Sequence, residues 1–157
     1  MTESATVHGN FTVERDYPTP PARVFEAFAD PTKKKSWFAA SDLHDIEAFE
    51  SDFRVGGLER LHYRFGPTSP FPGAKLTNEG QYHDIVPGRR IVTASHMAIE
   101  GRIFSVALVT IELEPIAAGT HVTCTFQGAF LEGADGPVMR EQGWNTLLDR
   151  LGQSLAA

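Results

Sequence analysis

Glu59 is the side chain best placed to do acid–base chemistry. It alternates with Leu61, Tyr63 and Phe65, so all four share one face of an extended segment. A carboxylate carried into an apolar cavity has its pKa raised by desolvation, which suits a general acid or base. The same residue at a strand end would instead stand in water, and the spacing leaves both placements open. His83 and His96 are the other two weak candidates for catalysis. His83 shares parity with Glu79, Gln81 and Ile85, whereas Tyr82 aligns with Gly80, Asp84 and Val86. A single bulge exchanges the two rows, so the pattern does not fix which of them faces inward. His96 follows three small residues, Thr93, Ala94 and Ser95, and could stand at the head of a cavity.

These three residues do not add up to a reaction signature. The chain has no Gly-x-Ser-x-Gly elbow, no His-Glu-x-x-His zinc helix, no phosphate loop and no dinucleotide fingerprint. Its six histidines (8, 44, 62, 83, 96 and 121) include no two at a ligand-like spacing. Each reads as a surface or satisfied strand histidine, and neither a metal nor a cofactor is expected. Cys124 is the one cysteine. It alternates with Val122 and Phe126 and reads as a small buried apolar group rather than a reactive thiol.

Large apolar side chains are the second class of candidate. Trp37, Phe38, Leu61, Tyr63, Tyr82, Phe104, Phe126, Trp144 and Leu148 could wall a cavity for a flat apolar ligand. Most must be ordinary core, because a chain of this size needs such residues simply to fold. Trp144 is the firmest wall residue, since its helix has to close over the sheet.

The elements that would position them follow from periodicity. Phe11 to Tyr17 alternates as a strand, imperfectly, because Arg15 shares the apolar side. Thr19-Pro20-Pro21 stops it and opens a helix with a hydroxyl cap and proline in the first turn. Val24, Phe25 and Phe28 make its apolar stripe, and Asp30-Pro31 restarts a second short helix ending near Trp37-Phe38. An ill-defined extended region covers Asp42 to Phe49 and Asp52 to Val55. Strands are then expected over Leu58–Phe65, Lys75–Val86, Arg89–Ile99, Ile103–Pro115 and Thr120–Leu131, broken at Pro87-Gly88, Glu100-Gly101 and Ala118-Gly119. Short connections make the neighbours antiparallel. Pro137 to Leu155 closes the chain as a helix of about 28 Å, with Trp144, Leu147, Leu148, Leu151 and Leu155 on one stripe.

The architecture is therefore α+β: a curved antiparallel sheet of six to seven strands wrapped around a long C-terminal helix, with two short helices after the first strand. Strands this long must twist and curl. A straight helix cannot pack evenly along a curled sheet, so a cavity between the two is the geometric default.

Several ordered motifs carry a family resemblance. They are Arg15–Pro20–Val24-Phe25–Phe28, Asp30-Pro31 with Trp37, Phe53-Arg54-Val55-Gly56-Gly57, and Gly80-Gln81-Tyr82 with Pro87. Arg90-Ile91-Val92, Gly119-Thr120, Phe130 and Gly143-Trp144 with Leu148-Asp149 and Leu151 complete them. In this order the chain resembles the activator of heat-shock protein (Hsp) 90 ATPase homologue-like family of the START/Bet v/polyketide-cyclase (SRPBCC) superfamily. The resemblance implies a helix-grip fold, and no particular ligand, because the superfamily hosts carriers, cyclases, sensors and chaperone cofactors. Relatives often carry a bulky aromatic just after the stretch matching Ile91-Val92. The small Thr93, Ala94 and Ser95 stand there instead, which would enlarge the cavity or repack it. The proline-rich loop Gly66 to Gly73 reads as a surface connection, or as a lip over a cavity mouth.

Three functions are compatible with this reading. The leading one is a receptor or carrier for a small hydrophobic molecule, with a cavity between sheet and helix. The second is a cofactor-free cyclase-, dehydratase- or hydrolase-like enzyme using Glu59, His83 or His96. The third, implied by the family name, is a module that binds a chaperone and activates its ATPase.

Totals narrow the field further. The 157 residues suit one domain, residues 1–157, with a core over about 7–155. A net charge of −6 argues against nucleic acid, and Lys33-Lys34-Lys35 reads as a solvated helix face. No apolar run approaches the ~20 residues of a membrane span. With no visible secretion signal in Met1 to Asn10, a cytoplasmic location is the simplest expectation. An unpaired edge strand would allow a homodimer about a two-fold axis.

Overall fold

The computed structural model describes residues 6–39 and 44–157. Strand β1 (Val7–Tyr17) buries Phe11, Val13 and Tyr17 and turns the intervening residues outward. Arg15 lies in the buried row because β1 is an edge strand. From there its guanidinium reaches the far helix, donating to Asp149 Oδ1 at 3.1 Å and Asn145 Oδ1 at 2.8 Å. The break in the apolar pattern is thus a clamp between sheet and helix.

Helix α1 (Pro21–Ala29) starts on proline, whose missing N–H would have been unpaired anyway. The expected hydroxyl cap is not used. Pro20 holds the cap position with no side-chain bond, and buried Thr19 instead offers its carbonyl to Thr120 Oγ1 at 2.7 Å. Helix α2 (Pro31–Lys34) is capped by Asp30, which accepts from the N–H groups of Thr32 and Lys33. It widens at once into a π-helical turn, Lys35–Ala39. Trp37 anchors this turn, its indole donating to Ala27 C=O at 3.0 Å and its ring meeting Phe28 edge to face.

Strands β2 (His44–Ser51), β3 (Leu58–Phe65), β4 (Lys75–Val86), β5 (Arg90–Ile99), β6 (Arg102–Ile116) and β7 (Gly119–Phe130) form one curved antiparallel sheet with β1, in the order β1-β7-β6-β5-β4-β3-β2. The expected extended region begins at Asp42, and residues 42–43 lie outside the described residues. Asp52–Val55, expected within an ill-defined extended region, lies outside the strands and leads into a turn. Gly57 permits it, since a Cβ there would fall 1.9 Å from the Asp52 carbonyl oxygen. Gly56 and Gly57 then exchange main-chain hydrogen bonds with Tyr82. Register shifts interrupt the ladders between Ile46 and Ala48, Tyr82 and Asp84, and Met97 and Ala98, and such bulges bend and twist a sheet.

Helix α3 (Pro137–Ala156) lies across the concave face and buries Leu148, Leu151 and Leu155. Tyr17 fixes its height by donating its hydroxyl to Leu148 C=O at 2.6 Å, and burial raises that phenol above its usual range. Stacked Phe11 and Phe126 fill the sheet side, with Phe130 beside them.

Leu148 is fully buried in this layer. Leu148→Ala is expected to cost about 2–5 kcal/mol, read as a lower urea midpoint. On the outer face His121 sits between Asp16 and Glu14, and its hydrogen bonds to these two carboxylates raise its pKa, the Asp16 bond most. A raised folded pKa stabilises the fold fully below the ordinary histidine value and loses that stabilisation as pH rises through the raised one. His121→Asn should therefore flatten the fall in stability across neutral pH. An unchanged pH profile would contradict the pairing.

Candidate functional site

Sheet register produces the site. One inward-facing row crosses every strand: Ser51, Glu59, Gly80, Ser95, Ala107, Gly128 and Gly9 are successive partners from β2 to β1. Apart from Glu59 every member is Gly, Ala or Ser. The flanking rows are bulkier, with Leu61, Asn78, Met97, Ser105 and Phe130 on one side and Tyr82, Thr93, Val109, Phe126 and Phe11 on the other. A line of small side chains between two lines of larger ones is a trough. At its β1 end the trough is filled. A Cβ on Gly128 would stand 2.7 Å from the Phe126 ring, and one on Gly9 would stand 2.6 Å from Pro137. At Ala107 and Ser95 it opens, and a cavity of about 360 Å³ remains under α3.

Aromatic and aliphatic groups make most of its wall, among them Phe38, Leu61, Tyr63, Val109, Phe126 and Trp144. A polar cluster of Arg140, Asp135 and Ser105 also borders it. Arg140 makes a two-pronged contact with Asp135 at 2.7 and 2.8 Å and a third bond to Ser105 Oγ at 3.0 Å. Its guanidinium also lies 5.1 Å from the centre of the Phe130 ring. Tyr63 stacks on His44 at 3.8 Å, and burial pushes its phenol up to about 12. His44 is held in turn by donating Nε2–H to the Ala39 carbonyl at 2.8 Å.

A smaller lobe of about 50 Å³ continues the trough toward Glu59. Phe38, Asn78, Ser95, Val109 and Trp144 border both spaces. The lobe ends on a buried ion pair: Lys34 Nζ donates to Glu59 Oε1 at 2.9 Å and to Oε2 at 2.7 Å. Oε2 also accepts from Tyr82 at 2.5 Å and from Ser51 at 3.1 Å. The Tyr82 phenol stays protonated, its pKa raised first by burial and then by the adjacent Glu59 charge. Lys34 and Glu59 are each only 8% exposed, which makes their pairing obligatory.

This geometry sits on a fold with relatives. The activator of Hsp90 ATPase homolog 1-like protein model matches residues 18–156. The chain belongs to that family. An uncharacterized protein from Rhizobium leguminosarum is similar to it at 32% identity, with 99% of each chain covered and a TM-score of 0.90. The Mll3558 protein from Rhizobium loti shares 40% identity over 96% of this chain and 99% of its own, with a TM-score of 0.85. The AHSA1-like protein from Aeromonas hydrophila shares the fold at 20% identity and a TM-score of 0.69, over 94% of this chain and 92% of its own. No curated protein matches this chain.

The motifs that carried the resemblance to the Hsp90 activator homologue family have structural tasks around the trough. Asp30-Pro31 caps the turn that delivers Lys34, Trp37 pins that turn to α1, and Gly56-Gly57 fixes the main chain of Tyr82. Of the expected wall residues, Phe38, Leu61, Tyr63, Phe126 and Trp144 border the larger cavity, and Trp37 and Tyr82 border the lobe. Phe104 and Leu148 border neither; Phe104 packs near Arg140, and Leu148 lies in the core beneath α3. Glu59 projects inward and ends the lobe, so it does not stand in water. His83 is exposed, because the bulge after Tyr82 leaves it outside both ladder rows. His96 borders the cavity but turns Nε2 toward Glu79, 3.6 Å away on the convex face. There His62 hydrogen-bonds Glu79 at 2.9 Å and holds that carboxyl below its usual range. The loop 66–73 borders neither space. Small residues after Ile91-Val92 do shape the site, since Thr93 and Ser95 both face the lobe.

Lys34 corrects the reading of the three-lysine run as a solvated face. Lys33 is exposed and pairs with Glu26, whereas Lys34 points into the protein. Its signal was helical spacing: Lys34 stands one turn before Trp37 and Phe38, both of which face inward. Asn78, Ser105 and Arg140 were also missed: register sets Asn78 and Ser105 on the concave face, and α3 carries Arg140 to Ser105.

Removing one partner of a buried ion pair strands the other charge. Lys34→Met is expected to cost about 3–5 kcal/mol in urea denaturation. The double change Lys34→Met with Glu59→Gln should recover most of that loss, since an amide still bonds Tyr82 and Ser51. Equal destabilisation by the single and double changes would refute the pairing.

Proposed function

We propose that this protein is a receptor or carrier for a small, largely apolar molecule held between the sheet and α3. The trough carries this reading. Its volume of about 360 Å³ falls within the range of roughly 300–1,000 Å³ found for small-molecule sites. Its wall is apolar over most of its surface, with Phe38, Trp144 and Phe126 among the rings and Asn78, Ser95, Ser105 and Arg140 among the polar groups. Acid–base catalysis has less support. Of the three ionisable candidates, only Glu59 turns its side chain toward the cavity. There it accepts four hydrogen bonds from Lys34, Ser51 and Tyr82, about the full capacity of a carboxylate. A carboxylate so occupied is a poor base.

Two substitutions test the site. Ala107 lies on the trough floor, and Gly143 borders the cavity from α3, where an added Cβ meets no atom within 4 Å. Ala107→Leu and Gly143→Leu should each weaken binding of the neutral fluorescent probe N-phenyl-1-naphthylamine by roughly tenfold or more, while circular dichroism stays unchanged. Native mass spectrometry of the protein from its own cells should also show a small non-covalent adduct that is lost on denaturation. Probe binding unaffected by both substitutions would place the apolar site elsewhere.

A further inference from the structure

The lobe beyond the trough is too small for a ring. An ordered water needs roughly 10–15 Å³, so about 50 Å³ accommodates a polar group of a few heavy atoms. Three groups around it have hydrogen-bonding capacity to spare. Lys34 gives two N–H groups to Glu59, and beyond these it meets only ring faces, Phe38 at 4.5 Å and Tyr82 at 5.8 Å from the ring centres. Asn78 and Ser95 make no side-chain hydrogen bond among the described residues. No fully buried side-chain polar atom lacks a partner there either, so their amide and hydroxyl open onto the cavity itself.

Charge limits what can bind. Glu59 already compensates Lys34, so a ligand carboxylate in the lobe would face the Glu59 carboxylate with no second cation beside it. A ligand ammonium would face Lys34. Either buried charge would be unpaired, and an unpaired buried charge is strongly disfavoured. An uncharged oxygen with two lone pairs suits donors from Lys34, Asn78 and Ser95.

We infer that the lobe is a carbonyl subsite, in which Lys34, held by Glu59, donates to the oxygen of an uncharged aryl ketone whose rings lie in the larger cavity against Phe38 and Trp144. This inference rests on the larger cavity being the ligand site. The π-helical turn places Lys34 and Phe38 together at the junction of the two spaces. Single-turn π segments recur at functional sites for this kind of local redirection.

A matched set of probes tests it: 2-acetylnaphthalene, 2-ethylnaphthalene and 2-naphthoate. Binding is read by fluorescence of Trp37 and Trp144, the two tryptophans, both of which border the site. A purely apolar pocket favours the ethyl compound, because the ketone gives up its hydrogen bonds to water. The subsite predicts the reverse, with the ketone at least about tenfold tighter and the naphthoate weaker than the ketone. The double variant Lys34→Met/Glu59→Gln should cut the ketone's advantage several-fold and leave the ethyl compound unchanged. Ser95→Ala, which does not touch the ion pair, should weaken the ketone alone. Equal binding of ketone and ethyl compound by the unaltered protein would overturn the subsite and leave the cavity reading standing. So would a ketone preference that the double variant leaves undiminished. Tightest binding by the naphthoate would overturn the choice of an uncharged ligand. Binding of none of the three would remove the larger cavity as a ligand site, and the subsite with it.

Discussion

A curled sheet and a straight helix cannot stay in contact along their whole lengths. Everything in the concave half of this protein follows from how that mismatch is handled. Where α3 approaches closest, Leu148, Leu151 and Leu155 meet Phe11, Val13, Val122 and Cys124, and no space is left. Burial at that seam is deep enough to push the Cys124 thiol up to about 12, which keeps it inert. Farther along, the row of small residues lowers the floor just where the helix lifts away. Larger residues in the row would have closed the gap and gained packing energy. The sequence spends Gly80, Ser95 and Ala107 on keeping it open.

The Lys34–Glu59 pair solves a different problem. Burying two charges is not an economical way to stabilise a fold, because attraction at close range is largely offset by lost hydration. What the pair adds is position. Lys34 ties the turn after α2 to β3, Ser51 brings in β2, and Tyr82 brings in β4. Four separate elements therefore converge on one carboxylate, and that convergence holds Phe38 and Trp37 against the cavity. Arg140 does related work at the other end, where Asp135 and Ser105 hold α3 to β6. The charged groups at both ends are thus paired within the protein.

Much of the fold was legible in the chain because strand and helix periods leave plain marks. Alternation placed β3 to β7 within a residue or two at each end, and the stripe from Trp144 to Leu155 placed α3. What periodicity could not show was parity across a break. Before the bulge Asn78, Gly80 and Tyr82 face inward, and after it Ile85 does, so His83 falls outside both rows. Nothing in the local residues marks that bulge. Lys34 was hidden for another reason: its partner is 25 residues away, and its helical spacing to Trp37 and Phe38 is easily overlooked in a run of three lysines. The trough is an extreme case, since its members lie on seven strands and share no sequence pattern at all.

The closed end of the trough shows how narrowly its position is set. Gly128 and Gly9 continue the same row, and their lack of side chains would extend the cavity to the edge of the sheet. Instead the Phe126 ring lies over Gly128, and Pro137, at the first turn of α3, lies over Gly9. The two glycines thus give room to bulky neighbours, as Gly80 does to Thr93 and Ser95, while Ser95 and Ala107 border the open space. One structural device, a missing side chain on the concave face, serves close packing at one end of the row and an open space at the other. The difference lies in what the opposing helix presents: a proline ring at its start, and farther along Gly143, whose absent side chain widens the gap rather than filling it. Helix and sheet are therefore both hollowed at the same level, which packing alone would not require.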